Sequence, residues 1–487
     1  MEIRNLRVAI HNLGCKVNDC EAEAMRHAFT KEGAVVVPFE DAEADVCIVN
    51  TCCVTNIADR KSRQMLHRAR ALHPGAVIVA VGCYVQEKAA ELESDSAVDI
   101  LIGNNEKGHI VDAVRQFTDI PAAKASAGDA LSASEKNQVE YTSCDAMNDK
   151  ETLVPAIREE KDFEELETGE RSDQGRAFVK IQDGCDQFCS YCIIPYVRGR
   201  IRSRALPDIL KEVQDLAARG YHEIVLTGIH LSSYGLDLDG RSYEEALLHG
   251  FSSERLLAVI RAAARVPGIR RIRLGSLEPR IMTEEFVKAL GEIQAVCPHF
   301  HLSLQSGCDA TLKRMNRHYT TEDFREAVQR IRAAFSEVAI TTDVITGFPG
   351  ETDEEFEQSY QFVKEIGFYE MHVFRYSRRQ GTVADKLPSQ VPDNVKQLRS
   401  DQLIRLSEEA SDRFRRSFLR RKTTIIPEES VSIGGKKYLR GYNPSYVRFL
   451  LPVGKNGVDE GKIGQIIEAI GTEICQTCVL AMPVQMV

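Results

Sequence analysis

Phe178-Val179-Lys180-Ile181-Gln182-Asp183-Gly184-Cys185-Asp186-Gln187-Phe188-Cys189-Ser190-Tyr191-Cys192 reads in two halves. The first half falls within a short, β-prone run, Ala177–Gln182, and predicts a strand. The second half is a loop that presents three cysteines in the spacing Cys-x3-Cys-x2-Cys. Soft thiolates this close together suit an iron–sulfur centre or zinc. Zinc would need a fourth Cys or His nearby to close its tetrahedron, and the segment offers none. Three buried packing cysteines are the bland alternative. A [4Fe–4S] cube normally takes four thiolates. Three would leave one iron open to chelate a cofactor or substrate and pass it one electron.

Outward from this stretch, residues 175–390 alternate strands and helices. Further strands are predicted at Glu223–Thr227, Arg271–Gly275, His301–Gln305, Ala339–Ile345 and His372–Tyr376. Helical patterns lie at Pro207–Arg219, Glu254–Ala264, Thr283–Ile293, Thr321–Phe335 and Asp353–Ile366. Six strand–helix units fall short of the eight in a closed barrel and predict a partial, open one. Residues 1–118 alternate as well, with strands at Leu6–Ile10, Ala34–Pro38, Val46–Asn50 and Ala76–Gly82. Helices are predicted at Glu21–Glu32, Ala58–His73 and Gln86–Glu93. This pattern predicts a small parallel α/β sheet. Cys15, Cys52 and Cys83 each begin a loop after one of these strands, and in a parallel sheet such ends share one side. The three either converge on a metal or serve as core cysteines; spacing leaves both open.

The remaining segments complete an α/β chain in four parts. Residues 119–174 are acidic, poor in apolar periodicity, and read as a linker or insertion that holds Cys144. Residues 175–423 join the partial barrel to a helix with a basic end, Arg413, Arg415, Arg416, Arg420, Arg421 and Lys422. Residues 424–487 show short strands with Gly and Pro turns, the pattern of a small β-barrel. Cys20, Cys47, Cys53, Cys297 and Cys308 read as packing residues; Cys475 and Cys478 form a Cys-x2-Cys pair that suits redox chemistry or a metal, with barrel-core packing the simpler reading.

Composition excludes several classes. No apolar run reaches about 18 residues, so no transmembrane helix is expected. The first residues lack the apolar region and cleavage site of a secretory leader, which predicts a cytoplasmic location. There, fourteen cysteines are not explained by disulfides. A net charge of −10 argues against a globally basic nucleic-acid binder. Local basic runs still stand out: Arg60, Lys61, Arg63, Arg68 and Arg70 after Cys52, and Arg198, Arg200, Arg202 and Arg204 after Cys192. Gly347-Phe348-Pro349-Gly350 is not a phosphate loop, because the Lys and Ser/Thr after the second glycine are missing.

The Cys-x3-Cys-x2-Cys loop after the first strand of a partial barrel resembles the radical S-adenosylmethionine superfamily. That resemblance implies that the open iron binds the amino and carboxylate groups of S-adenosylmethionine, whose reductive cleavage yields methionine and a 5′-deoxyadenosyl radical. Gly14-Cys15-Lys16-Val17-Asn18, the run Asn50–Gln64, and Val81-Gly82-Cys83-Tyr84-Val85-Gln86 resemble the N-terminal domain of the methylthiotransferases within it. Ser276-Leu277-Glu278-Pro279, Leu304-Gln305-Ser306-Gly307 and the run Asp343–Thr352 fit the same family. Gly441-Tyr442-Asn443-Pro444-Ser445-Tyr446-Val447 resembles the RNA-binding TRAM module. The likeness covers nearly the whole chain.

The family implies a second [4Fe–4S] cluster on Cys15, Cys52 and Cys83 that holds or supplies sulfur, both clusters facing one cavity. One S-adenosylmethionine would donate a methyl group and another the radical. By resemblance, Cys185, Cys189 and Cys192 are catalytic cluster ligands, and some of Thr227, Gly228, Ser276, Glu278, Gln305 and Asp343 line the cofactor or substrate cavity; turn chemistry is their alternative role. The wording around Cys15 and Cys52 is most similar to the branch that modifies C2 of N6-threonylcarbamoyladenosine at tRNA position 37. The alternatives are the isopentenyladenosine branch and the branch acting on an aspartate of a ribosomal protein. The implied partners are a tRNA anticodon loop, held by the three basic runs, and an electron donor such as flavodoxin or ferredoxin; no membrane is expected from composition, and the oligomeric state is left open with a monomer favoured.

Overall fold

The computed structural model describes residues 3–41, 43–119, 150–167, 169, 175–251, 253–455 and 457–484. Cys144 and most of the acidic segment lie outside them. The chain divides into two compact units, Met1–Glu160 with Glu164–Gly169, and Lys161–Phe163 with Glu170–Val487.

The first unit is a six-stranded sheet. Its strands are β1 (Arg7–Asn12), β2 (Val35–Val37), β3 (Val46–Thr51), β4 (Val77–Gly82), β5 (Ile100–Ile102) and β6 (Glu151–Leu153), in the order β2-β1-β3-β4-β5-β6. All pairings are parallel. Four helices connect or flank the strands: α1 (Lys16–Lys31), α2 (Asn56–Leu72), α3 (Cys83–Glu93) and α4 (Ile110–Asp119). β3 is buried along its whole length, as a strand covered on both faces requires. Val8, Ile10, Val46, Ile48, Val79 and Val81 pack on one face with Met25 and Phe29 of α1 and Val114 of α4. The order reverses between β1 and β3, and such a switch point opens a crevice at the carboxyl ends of the strands. β6 comes from the stretch read as linker. Its three half-buried residues, Glu-Thr-Leu, carry no alternation by which a strand could be read.

The second unit holds the partial barrel. Its strands are β7 (Arg176–Lys180), β8 (Gln182–Asp183), β9 (Arg202–Ser203), β10 (Glu223–Thr227), β11 (Arg271–Leu274), β12 (Ser276–Leu277), β13 (His299–Leu302), β14 (Ala339–Thr346) and β15 (Glu370–Arg375). β11-β10-β7 form one parallel sheet and β12-β13-β14-β15 another. Six strand positions therefore run in chain order, the third divided at Gly275. Below that glycine the strand pairs with β10, and above it with β13. One side of each strand packs on the surrounding helices through Ile224, Leu226, Ile272, Leu274, Phe300, Leu302, Ile340 and Val344. By the two-residue period, the opposite side carries Arg176, Glu223, Arg271, Arg273, His299, His301, Thr341, Asp343 and His372. The inner face of this barrel is polar.

Five further strands close a small barrel, β16 (Lys422–Ile433), β17 (Lys436–Tyr442), β18 (Arg448–Pro452), β19 (Ile467–Cys475) and β20 (Cys478–Pro483), in the order β16-β17-β18-β20-β19. Residues 441–447, the stretch that resembles an RNA-binding module, dock against the first residues of β7, β10, β11 and β13. The Tyr442 and Tyr446 rings stack at 4.6 Å, and His299 stacks on Tyr446 at 4.5 Å. Arg176 lies over Tyr442 at 4.6 Å and Arg273 over Tyr446 at 4.7 Å. Arg271 donates to the Tyr442 carbonyl at 3.1 Å and Arg273 to that of Pro444 at 3.0 Å. Glu223 receives both arginines, at 3.3 and 2.9 Å. Burial would raise the Glu223 carboxyl, but Arg273, Arg271 and Arg176 hold it below the usual carboxylate range. The motif thus floors the open barrel at the end away from the cysteine loop.

Candidate functional site

The cysteine loop leaves the barrel after β8 at a position only glycine can hold. Gly184 has φ +71°, and an added Cβ would lie 1.7 Å from the Arg200 carbonyl oxygen. The Cys185 amide donates to the Gly199 carbonyl at 3.0 Å, and the Cys192 amide to that of Cys189 at 2.9 Å. A second segment clamps the loop from the end of the helix Asp309–Arg314. The Ser190 amide donates to the Met315 carbonyl at 3.0 Å, the Ser190 hydroxyl to that of Arg314 at 2.8 Å, and Asn316 to that of Phe188 at 3.1 Å.

Burial pushes the Cys185 thiol well up, and the neighbouring Cys189 and Cys192 push it further. Burial and then Cys189 push Cys192 up to about 12. Cys185 and Cys192, raised this way, ionise more readily beside a cation, and bound iron would provide one.

Glu278 is buried against this loop. Its Oε2 accepts from Gln187 at 2.8 Å and pairs with His230 at 3.3 Å, and its backbone amide donates to Ser232 at 2.8 Å. Its other oxygen, Oε1, is buried with no hydrogen-bond partner. Burial would raise this carboxyl; the His230 hydrogen bond, then Arg317, hold it down. A buried, ionised oxygen without a donor fits a ligand that brings a cationic or N–H group.

The other expected residues are distributed as follows. Thr227 is buried at the end of β10, and Gly228 comes so close to Gln182 that an added Cβ would meet its Oε1 at 2.8 Å. Ser276 is exposed on β12. Gln305 adopts φ +67°, donates its backbone amide to the Asp343 carbonyl at 2.8 Å, and accepts from the Ile345 amide. Asp343 pairs with His301 at 3.2 Å, and His372 lies opposite it in register; ligand atoms of all three fall within 4.8 Å of one another. Gln187 lies inside the cysteine spacing, yet that spacing marks only the cysteines and did not single it out. His230, His301, His372 and Arg317 were not legible either, because no spacing marks them.

In the first unit, Cys15, Cys52 and Cys83 follow β1, β3 and β4, which are consecutive in the sheet. A Cβ added to Gly14 (φ +130°) would lie 3.1 Å from the Cys52 Cβ, so the first two loops touch. Asn18 ties them by donating to the Leu13 and Thr51 carbonyls, each at 3.0 Å. The Cys52 amide donates to Ser62 at 3.1 Å. Asn104 donates to the Cys83 sulfur at 3.5 Å and accepts from the buried Lys107 at 2.7 Å. Cys53 is fully buried, and its hydrogen bond with Cys83, then burial, push its thiol well up. The strand order thus places the loops that carry Cys15, Cys52 and Cys83 at the ends of three neighbouring strands.

Among the other described cysteines, Cys20, Cys47, Cys297 and Cys308 are buried, whereas Cys475, expected in the barrel core, is half-exposed. Burial pushes Cys47 up to about 12 and Cys297 to about 11. Cys475 and Cys478 pair across the two-residue turn between β19 and β20.

One of the three basic runs does not form a phosphate surface. Arg198, Arg202 and Arg204 are buried. Arg198 pairs with Asp183 at 3.1 Å and Arg204 with Glu212. The turn into β9 points these side chains inward, and only Arg200 of the four is exposed. Arg60, Lys61, Arg63, Arg413 and Arg420 are exposed and make no ion pair among the described residues.

Fold and site together define a protein of the radical S-adenosylmethionine class. The model of the Radical SAM superfamily matches residues 179–363, and that of an uncharacterized protein family, UPF0004, matches residues 7–103. The solved structure of the radical S-adenosylmethionine methyltransferase TsrM from Kitasatospora setae superposes with a TM-score of 0.53 at 15% identity, covering 78% of this chain and 74% of that one, a likeness of fold. The chain is 36% identical to the threonylcarbamoyladenosine tRNA methylthiotransferase MtaB of Bacillus subtilis, over 95% of this chain and 92% of that protein. It is 34% identical to the MtaB of Thermotoga maritima over 91% and 90%. It is also 34% identical to the tRNA-2-methylthio-N(6)-dimethylallyladenosine synthase of Clostridium novyi over 88% and 86%. The chain belongs to the tRNA methylthiotransferase family.

Proposed function

We propose that this chain adds a methylthio group to C2 of N6-threonylcarbamoyladenosine at position 37 of tRNA, using S-adenosylmethionine and two [4Fe–4S] clusters. Cys185, Cys189 and Cys192 would hold the first cluster, and Cys15, Cys52 and Cys83 the second. The observation that carries the reading is the presence of two three-thiol sets, one in the loop after β8 and one at the ends of the parallel strands β1, β3 and β4, in a chain alignable over 95% of its length with an MtaB relative. When bound, the first cluster and its cofactor supply a carbon radical that can activate a C–H bond beyond the reach of acids and bases.

The protein's own groups bind and shield. Glu278 Oε1 offers an ionised acceptor to the cofactor's amino group, and Gln187 and His230 hold that carboxylate in place. Thr227, Gly228, Ser276, Gln305 and Asp343 are assigned to the cofactor and substrate cavity. Arg60, Lys61 and Arg63 in residues 1–118, and Arg413 and Arg420 before the 424–487 barrel, take anticodon-loop phosphates. A single-stranded loop presents an unstacked base to such a surface. An electron donor such as flavodoxin or ferredoxin reduces the first cluster, and the monomeric chain acts in the cytoplasm with its tRNA.

Mass spectrometry of tRNA nucleosides from a deletion strain tests this. Loss of the methylthio form, accumulation of unmodified N6-threonylcarbamoyladenosine and rescue by the wild-type chain are expected. Loss of a methylthio-isopentenyladenosine instead, or unchanged tRNA beside an altered ribosomal protein, would overturn the assignment.

A further inference from the structure

Arg317 lies outside every motif read from the sequence, yet its Nη1 donates to the Cys189 sulfur at 3.1 Å. The same nitrogen donates to Gln187 Oε1 at 2.7 Å, and Nε donates to the Tyr319 hydroxyl at 3.1 Å. The guanidinium also lies over the Tyr319 ring at 4.8 Å. Tyr319 is itself fixed by donating to the Ser303 and Leu304 carbonyls at 2.6 and 2.8 Å. The segment that bears Arg317 is the one that clamps the cysteine loop through Met315 and Asn316. The cation is thus held from three directions against one sulfur of the triplet.

Arg317 makes no ion pair with a carboxylate among the described residues. Glu278 is reached only through the bridging Gln187 amide. A half-buried guanidinium, held rigidly and without a carboxylate, sits where three thiolates would bring negative charge. Hydrogen bonds to cluster sulfurs are one of the means by which proteins set a cluster's reduction potential.

We propose that Arg317 is the charge partner of the Cys185/Cys189/Cys192 cluster and raises its reduction potential by donating to the Cys189 thiolate. The inference rests on reading these cysteines as cluster ligands. One-electron reduction adds a negative charge to the cluster. A fixed cation at 3.1 Å from a ligand sulfur stabilises the reduced form more than the oxidised one. Arg317 acts through the thiolate and is a positioning residue.

The test uses the full chain with Cys15→Ala, Cys52→Ala and Cys83→Ala, so that one cluster remains, reconstituted anaerobically. About four irons per chain, lost on a further Cys189→Ala, establishes the underlying reading independently. In that background Arg317→Met and Arg317→Lys are compared by redox titration monitored by electron paramagnetic resonance, with cofactor binding measured separately. Arg317→Met is expected to keep the iron and lower the reduction equilibrium at least tenfold, about 59 mV for one electron. Arg317→Lys, which keeps the charge but not the planar fork, should shift it less. An unchanged potential in Arg317→Met, with or without weakened cofactor binding, overturns the proposal. So does loss of iron in both variants, which would make Arg317 a structural clamp.

Discussion

The two cysteine triplets are built by opposite means. Cys185, Cys189 and Cys192 fall within eight residues, and one loop, turned at Gly184 and clamped by residues 314–317, gathers them. Cys15, Cys52 and Cys83 are spread over sixty-nine residues and stand at neighbouring loops because β1, β3 and β4 are sheet neighbours. The first site is encoded by spacing and the second by topology. A local site depends on one loop's geometry. A dispersed one depends on every pairing that keeps the three strand ends in register.

The comparison breaks most decisively at the ligands. Cys189→Ala should abolish both cofactor cleavage and methylthio transfer, measured as 5′-deoxyadenosine and modified nucleoside, because the open-iron centre is lost. Cys52→Ala should abolish methylthio transfer while cofactor cleavage persists. Equal loss of cleavage in both variants would mean that the triplets are not separable.

Backbone changes sharpen the contrast. Gly184→Ala forces a Cβ against a backbone carbonyl, on top of about 1–3 kcal/mol of strain for an L-residue at that conformation. Gly14→Ala carries the same class of strain, but its nearest neighbour is the Asn18 side chain at 3.0 Å, which can shift. Denaturant unfolding should therefore rank Gly184→Ala as the more damaging. A reversed order would mean that the local loop is the softer of the two. Asn18→Ala leaves the Leu13 and Thr51 carbonyls without that donor, at about 1–3 kcal/mol. It should lower iron bound by a chain lacking the 185–192 cysteines, and leave iron unchanged in one lacking Cys15, Cys52 and Cys83. The smallest effect is expected from Cys53→Ala, which removes a buried sulfur beside Cys83 but should retain iron near the wild-type value. Loss of half the iron would make Cys53 a ligand.

Legibility followed the same division. Regular elements were readable wherever period and length were strong: Glu223–Thr227, Glu254–Ala264 and Asp353–Ile366 form with the bounds the pattern predicts. β6 escaped because three half-buried residues have no period. The Cys-x3-Cys-x2-Cys loop stands out as a thiol-rich site by its spacing alone, and the family resemblance assigns its chemistry. Convergence of the other triplet needs the strand order, which local pattern does not contain. Arg317, His230 and His301 reach the site from separate strands and turns and have no linear signature. The arginines at 198, 202 and 204 misled for the converse reason: a basic run looks the same whether it faces solvent or, as here, turns inward to Asp183 and Glu212. Residues 441–447 carry a similar lesson, since much of their aromatic and carbonyl surface serves to seat the small barrel on Arg176, Arg271 and Arg273.

Iron and sulfide counting on the anaerobically reconstituted chain, side by side with Cys52→Ala, tests most directly whether strand order assembles a second cluster. About eight irons in the wild type and about four in the variant are predicted. An equal count in the two proteins would contradict it and leave β1, β3 and β4 gathering nothing more than packed thiols.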